Sequence, residues 1–316
     1  MPPDEPPLSD GATYDPELRA WLRIADAPIP LGIESAVVLG DTVYVWLNGS
    51  VEPELNSAFL AYDAANDSWR TLPVPSSTPP VGYRLAAIPE GVVAYLPTEE
   101  RGASPDQLWE VRSRRWWEVP ADPLRPSFDR TMVWTGDELV LVAIELVPSP
   151  GSDRPSVYRA ASLDPTTGQW RRLADSEIVL WDPTWYWAAG MLVNPSLGSS
   201  DGGAVGNWGR SYPHGGMLDP VSGAWSYLPA IPGGGATYDG ISAGGPAFVV
   251  SRQGWVLDVS SSMWLPLVRP DGAPDTGMAA AWVGDRLIIF GGSRWQGGTS
   301  DLFNAAWEWL PPLADP

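Results

Sequence analysis

Six copies of one hairpin constrain this chain more than any other feature. An acidic residue is followed six positions later by Trp in "YDPELRAW" (Asp15, Trp21), "YDAANDSW" (Asp63, Trp69), "WEVRSRRW" (Glu110, Trp116), "LDPTTGQW" (Asp164, Trp170), "LDPVSGAW" (Asp219, Trp225) and "LDVSSSMW" (Asp258, Trp264). Three residues after each Trp stands an aliphatic residue: Ile24, Leu72, Val119, Leu173, Leu228 and Leu267. Successive Trp positions lie 48, 47, 54, 55 and 39 residues apart. A period near 50 is the mark of a repeat architecture, and the signals within it are those of strands.

The chemistry of one copy is readable. Pro, Asn, Asp, Ser and Gly between the acid and the Trp make a short reversal between two strands. The carboxylate can accept hydrogen bonds from the turn amides, and the Trp can bury a large face against the neighbouring repeat. Ahead of each copy lies a second hairpin, at 35–46, 83–96, 130–142, 185–193, 240–250 and 279–292. Its near-continuous apolar runs suit strands buried on both faces. Four strands per unit and six units predict an all-β chain of roughly 24 strands.

This pattern resembles the kelch-repeat β-propeller family, including bacterial propellers and the central domain of galactose oxidase. The resemblance rests on the six hairpins and on "GDRLIIFGG" (284–292), which is similar to a kelch strand ending in a double glycine. The other units lack that pair, Asn48-Gly49 being the nearest. The resemblance implies one propeller domain over 12–313, preceded by a Pro-rich acidic linker (1–11) and followed by a short tail (314–316). Six four-stranded kelch-like blades are expected, seven being the alternative. The outer hairpin 12–24 and the inner hairpin 279–292 are expected to close the last blade from both termini. The segment 302–313 is one strand too many for that count: it is either the third strand of the last blade or a degenerate seventh blade.

Composition narrows the function. The net charge of −19 disfavours nucleic acid and anionic membrane surfaces as partners. There is no Cys, so thiolate catalysis and Cys-ligated zinc are excluded. All 19 basic residues are Arg, which rules out a P-loop. A single His cannot build a copper site of the galactose oxidase kind, and no G-x-S-x-G nucleophile elbow occurs. No apolar run is long enough to span a membrane. The opening "MPPDEPPLSD" is not a signal peptide, although the resemblance implies an extracytoplasmic protein. A monomer is expected.

In kelch-like propellers the loops between second and third strands, and those between blades, emerge on one face. The long loop 194–216 carries Trp208, Arg210, Tyr212 and His214, and a second loop at 291–301 carries Arg294, Trp295 and Gln296. Aromatic faces beside Arg and Gln suit a sugar or a peptide. Glu34, Arg84, Arg130, Trp185 and Asp239 fall near the starts of inner strands and are expected at the channel mouth. The reading is a non-catalytic binding propeller for a protein partner or glycan. The alternative is a carbohydrate-active or other small-molecule enzyme using two of the loop carboxylates Glu99, Glu100, Asp106, Asp153, Asp175 and Glu177. No cofactor or metal is expected, "SSDGG" (199–203) being a weak candidate for Ca²⁺.

Overall fold

The computed structural model describes residues 8–47, 57–76, 82–99, 103–145, 157–178, 183–197, 215–231, 240–274, 276–296 and 299–312. Among these residues there are 26 strands and no helix. β1 (Ala12–Asp15) and β2 (Ala20–Arg23) form a two-stranded hairpin. Six four-stranded antiparallel blades follow in chain order. The first is β3–β6 (Ile33–Leu39, Thr42–Leu47, Ala58–Asp63, Ser68–Leu72) and the second β7–β10 (Arg84–Ile88, Gly91–Tyr95, Gln107–Glu110, Arg115–Glu118). The third is β11–β14 (Ser127–Trp134, Leu139–Glu145, Tyr158–Asp164, Gln169–Arg172) and the fourth β15–β18 (Tyr186–Ala188, Met191–Asn194, Gly216–Asp219, Ala224–Tyr227). The fifth is β19–β22 (Ala243–Gly244, Phe248–Ser251, Trp255–Asp258, Met263–Pro266). The sixth is β23–β26 (Thr276–Val283, Arg286–Gln296, Thr299–Leu302, Ala306–Trp309). The all-β class and the six four-stranded propeller blades are those the repeat predicts.

The sixth blade differs from the expectation in detail. β24 is long enough to take two partners: β26 along Leu287–Phe290 and β25 along Ser293–Gln296. The extra C-terminal strand is therefore the third strand of this blade. Among the described residues, the β1–β2 hairpin pairs only with itself.

The described residues divide into two compact units, Met1–Pro126 with Asp164–Trp170, and Ser127–Leu163 with Arg171–Pro316. In the first unit the core lies between the first two blades, where Trp46, Phe59, Tyr83, Val92 and Trp109 pack together. In the second, Val140, Tyr158, Trp185 and Leu218 fill the space between the third and fourth blades, and further clusters separate the fourth, fifth and sixth. The second strands are buried along almost their whole length, as in Leu139–Ile144, which explains their unbroken apolar runs.

Both marks of the repeat have a structural cause. Oδ1 of the Asp accepts the amides two and three residues on: Glu17 and Leu18 at Asp15, Ala65 and Asn66 at Asp63, Thr166 and Thr167 at Asp164, Val221 and Ser222 at Asp219, Ser260 and Ser261 at Asp258. The residue two before each Trp is left-handed: Arg19, Asp67, Arg114, Gly168, Gly223 and Ser262 have φ between 45° and 74°. Only Gly168 and Gly223 adopt that conformation without a Cβ penalty; elsewhere it costs on the order of 1 kcal/mol.

The Trp then reaches back one repeat. Trp69, Trp116, Trp170, Trp225 and Trp264 each donate Nε1–H to a backbone carbonyl, on Ala25, Pro73, Pro120, Ala174 and Pro229 respectively, at 2.7–2.9 Å. Each acceptor stands four residues past the preceding repeat's Trp. The aliphatic residue just before the acceptor is buried in Val119, Leu173 and Leu228. Proline suits the acceptor position because it ends the strand while keeping its carbonyl.

The turn carboxylates carry a pH dependence. Asp63 is held below the usual carboxylate range chiefly by the Asn66 side chain, Asp164 by the Thr166 amide and then the Thr167 hydroxyl, and Asp219 by the Ser222 hydroxyl. A depressed folded-state pKa stabilises the fold above the unfolded value of about 4, and that contribution is lost as pH falls through the folded value. Acidification from about pH 6 to 3 is expected to lower Tm. The triple variant Asp63→Asn, Asp164→Asn, Asp219→Asn is expected to start lower at pH 6 and to fall less. Parallel profiles for the two proteins would contradict this account.

Candidate functional site

The first unit holds two polar constellations. One is an open groove of about 700 Å³ between the first two blades. Register sets its first wall. Tyr44 lies opposite Ala61, and Ala61 opposite Arg70, so the three form one row across β4, β5 and β6 and share a face. The next row, Trp46–Phe59–Leu72, continues inward to the core. The second wall comes from the β9–β10 hairpin, with Trp109, Val111 and Arg114. The bond from Trp116 Nε1 to the Pro73 carbonyl fixes one wall to the other.

The electrostatics of this groove are unusual for so acidic a chain. Burial pushes the Tyr44 phenol up, while the guanidinium groups of Arg70 and Arg114 pull it the other way. Arg70 and Arg114 are exposed, and among the described residues neither forms an ion pair. Asp63 lies within Arg70's field, but its oxygens are committed to the turn amides and to Asn66. The groove can hold an oxyanion by two charged donors and a phenol.

The other constellation is buried. Glu99 and Asp106, on the connection from β8 to β9, meet Asp122, on the connection from β10 to β11, with carboxylate oxygens within 4.8 Å of one another. Three carboxylates at that spacing can share a divalent cation. The guanidinium of Arg125 stands among them, with Nη2 at 2.5 Å from Glu99 Oε1 and Nε at 3.3 Å from Asp122 Oδ2. Asp106 Oδ1 accepts the Leu96 amide and its carbonyl accepts the Val119 amide, while Asp122 Oδ1 accepts the Leu124 amide. These bonds tie the ends of β8 and β10 together. Exposures of 0%, 2% and 5% for Glu99, Asp106 and Asp122 keep them from touching a substrate. Beside them the Tyr83 phenol is pushed up to about 12 by burial, with the Asp106 charge adding to it.

Trp208, Arg210, Tyr212, His214 and Asp239 lie outside the described residues, as do Glu100, Asp153 and "SSDGG". The root of the 194–216 loop is described: the Gly215 amide donates to the Ser196 carbonyl, and buried Asn194 accepts the Ser196 amide. The expected loop at 291–301 is largely strand. β24 runs on through Gly291 and Gly292, both at positive φ, and turns back as β25, so Arg294 pairs with Asp301, Trp295 with Ser300 and Gln296 with Thr299. The Arg294 guanidinium donates to the Gly272 and Ala273 carbonyls and lies 5.2 Å from the Phe303 ring centroid, which makes it a brace of its own blade.

Of the expected channel-mouth residues, Glu34 lies in β3 and half-buried Arg84 begins β7. Arg130 sits fully buried where β11 shifts register. Trp185 is a core residue and faces no opening: it is 3% exposed and packs edge-on against Tyr158 and Trp225. The residues that sequence reasoning missed are Arg70 and Arg114. Their signal was cross-strand register, with one of them in the left-handed turn position.

No protein-family model matches the chain, and no curated protein matches it in sequence. No helix among the described residues is long and apolar enough to cross a membrane.

The buried carboxylates depend on Arg125 for counter-charge. Arg125→Met keeps the stem and removes the charge, and is expected to cost about 2–3 kcal/mol, at the low end for breaking such a pair because the guanidinium is part-exposed. Urea unfolding measures this directly, with Arg125→Lys restoring part of the loss. An unchanged midpoint in Arg125→Met would show that the guanidinium does not hold the cluster.

Proposed function

We propose that this chain is a non-catalytic binding propeller of the kelch type, which recognises a protein partner or a glycan. Propeller folds commonly serve binding, because rigid blades present grooves and loops at fixed positions. The observation that carries the reading is a contrast of access. Among the described residues, the tightest group of carboxylates, Glu99, Asp106 and Asp122, is sealed and tied to Arg125 and backbone amides, and Asp175, which lines an open groove with Glu177, is held by Arg172 at 2.7 Å. The open groove of the first unit is lined by groups that bind, among them Arg70, Arg114 and Tyr44. The segment bearing Trp208, Arg210, Tyr212 and His214, which lies outside the described residues, is proposed from its composition as a further contact.

A glycan array and an affinity pull-down with the whole chain test this reading, run beside an assay for release of reducing sugar from the same glycans. Saturable binding without product release is expected, weakened by Trp208→Ala where the long loop takes part. Product release that disappears in Glu99→Gln or Asp106→Asn would overturn the reading in favour of an enzyme.

A further inference from the structure

We infer that the groove between the first two blades is a site for a small organic carboxylate, held by Arg70 and Arg114, with Tyr44 on the same lining. The inference rests on the binding reading above and names the chemistry of one ligand.

The geometry selects an anion. Tyr44, Ala61 and Arg70 stand in one row on the face toward the second blade, and Arg114 closes the row from the opposite wall. The two guanidinium groups offer forked N–H donors, and both act on the same phenol. Two cations that line one groove give it a positive local field, which an anion bound there would neutralise. The chain has 38 acidic residues to 19 Arg, yet these two are left without an ion pair among the described residues.

The geometry also limits size and character. A net charge of −19 repels an extended polyanion, so the local pair of cations favours a compact anion over nucleic acid or a polysulfated chain. About 700 Å³ suits a monosaccharide or an aryl acid rather than a bare inorganic ion. The remaining lining mixes the hydroxyl residues Thr42 and Thr71 with Leu72, Pro73, Val111 and Trp109, so the body of such a ligand meets apolar surface with hydroxyls beside it. A sugar acid and an aromatic carboxylate share this chemistry, and the probes below separate them.

Arg114 provides a clean variant. It occupies the left-handed turn position with φ 55°, where two other repeats place glycine. Arg114→Gly thus removes the cation while relieving the backbone, and its ligand-free Tm separates a loss of binding from a loss of fold. The experiment is a thermal-shift and calorimetric titration of the whole chain. Its probes are glucuronate and benzoate, with glucose, benzyl alcohol and inorganic sulfate as controls, each at low and moderate salt. One carboxylate probe is expected to raise Tm and to bind more weakly at the higher salt; glucuronate acting alone marks a sugar-acid site, benzoate alone an aryl-acid site. Affinity is expected to fall at least tenfold in Arg70→Gln and in Arg114→Gly, the latter with a ligand-free Tm at or above that of the parent. Any of three results would overturn the proposal: no shift with either carboxylate, an equal shift with the neutral analogues, or undiminished binding in both variants. Binding of a neutral glycan or a protein partner that survives both substitutions would leave the general binding reading standing and remove this site from it.

Discussion

The fold depends on a hydrogen bond that each repeat makes with the one before it. The indole N–H of one Trp donates to the carbonyl four residues beyond the previous Trp, in five successive pairs. Four of these indoles are half-buried and Trp264 is buried, and such a bond contributes roughly 1 kcal/mol. The bond selects a position as well as adding stability. Its acceptor must lie where the strand carrying the preceding Trp ends, which explains why an aliphatic residue followed by Pro or Ala keeps its distance from each of the first five Trp while the lengths between repeats vary. The turn carboxylate and the left-handed residue before the Trp serve the same end, because they set the angle at which the strand carrying the indole leaves the turn.

Much of this was legible in the sequence. Asp-to-Trp spacing predicts the outer hairpins and continuous apolar runs the inner ones, and both sets form at those positions, although among the described residues the first outer hairpin pairs only with itself and not with the last blade. Less legible was the left-handed position, because Arg19, Asp67, Arg114 and Ser262 occupy it where glycine would have advertised it. Asp67 shows what the chain gains there: its carboxylate accepts the Ala25 amide and the Tyr62 hydroxyl, adding a second tie between the first blade and the hairpin before it. The strand β24 was misread past its double glycine, since two glycines in succession signal a loop locally while tertiary pairing with β25 makes them a bend within a strand. Trp185 was ambiguous for a similar reason, as an aromatic at the start of an inner strand can face either way until its neighbours are known.

The candidate site was the least legible part. Glu99 and Asp106 were visible as loop carboxylates, but their approach to Asp122 and Arg125 depends on the connections on either side of the β9–β10 hairpin being drawn to one place. Burial then gives them a structural task, binding strand ends to each other. Arg70 and Arg114 belong to different blades, and only register and the Trp116–Pro73 bond bring them to one groove. Charge patterning along the chain offered no hint, since an acidic average conceals a local pair of cations.

The most direct measurement of the central claim is a set of single Trp→Phe substitutions at Trp69, Trp116, Trp170, Trp225 and Trp264, followed by urea unfolding. Phenylalanine keeps most of the apolar face and deletes the donor. Each variant is expected to lose about 1 kcal/mol, with a similar loss across the series because the same bond is removed each time. Trp117→Phe, in an exposed indole outside the series, is expected to change stability by less than about half that amount. Losses scattered without regard to the repeat, or no greater than at Trp117, would contradict the claim that one recurring hydrogen bond organises the blades.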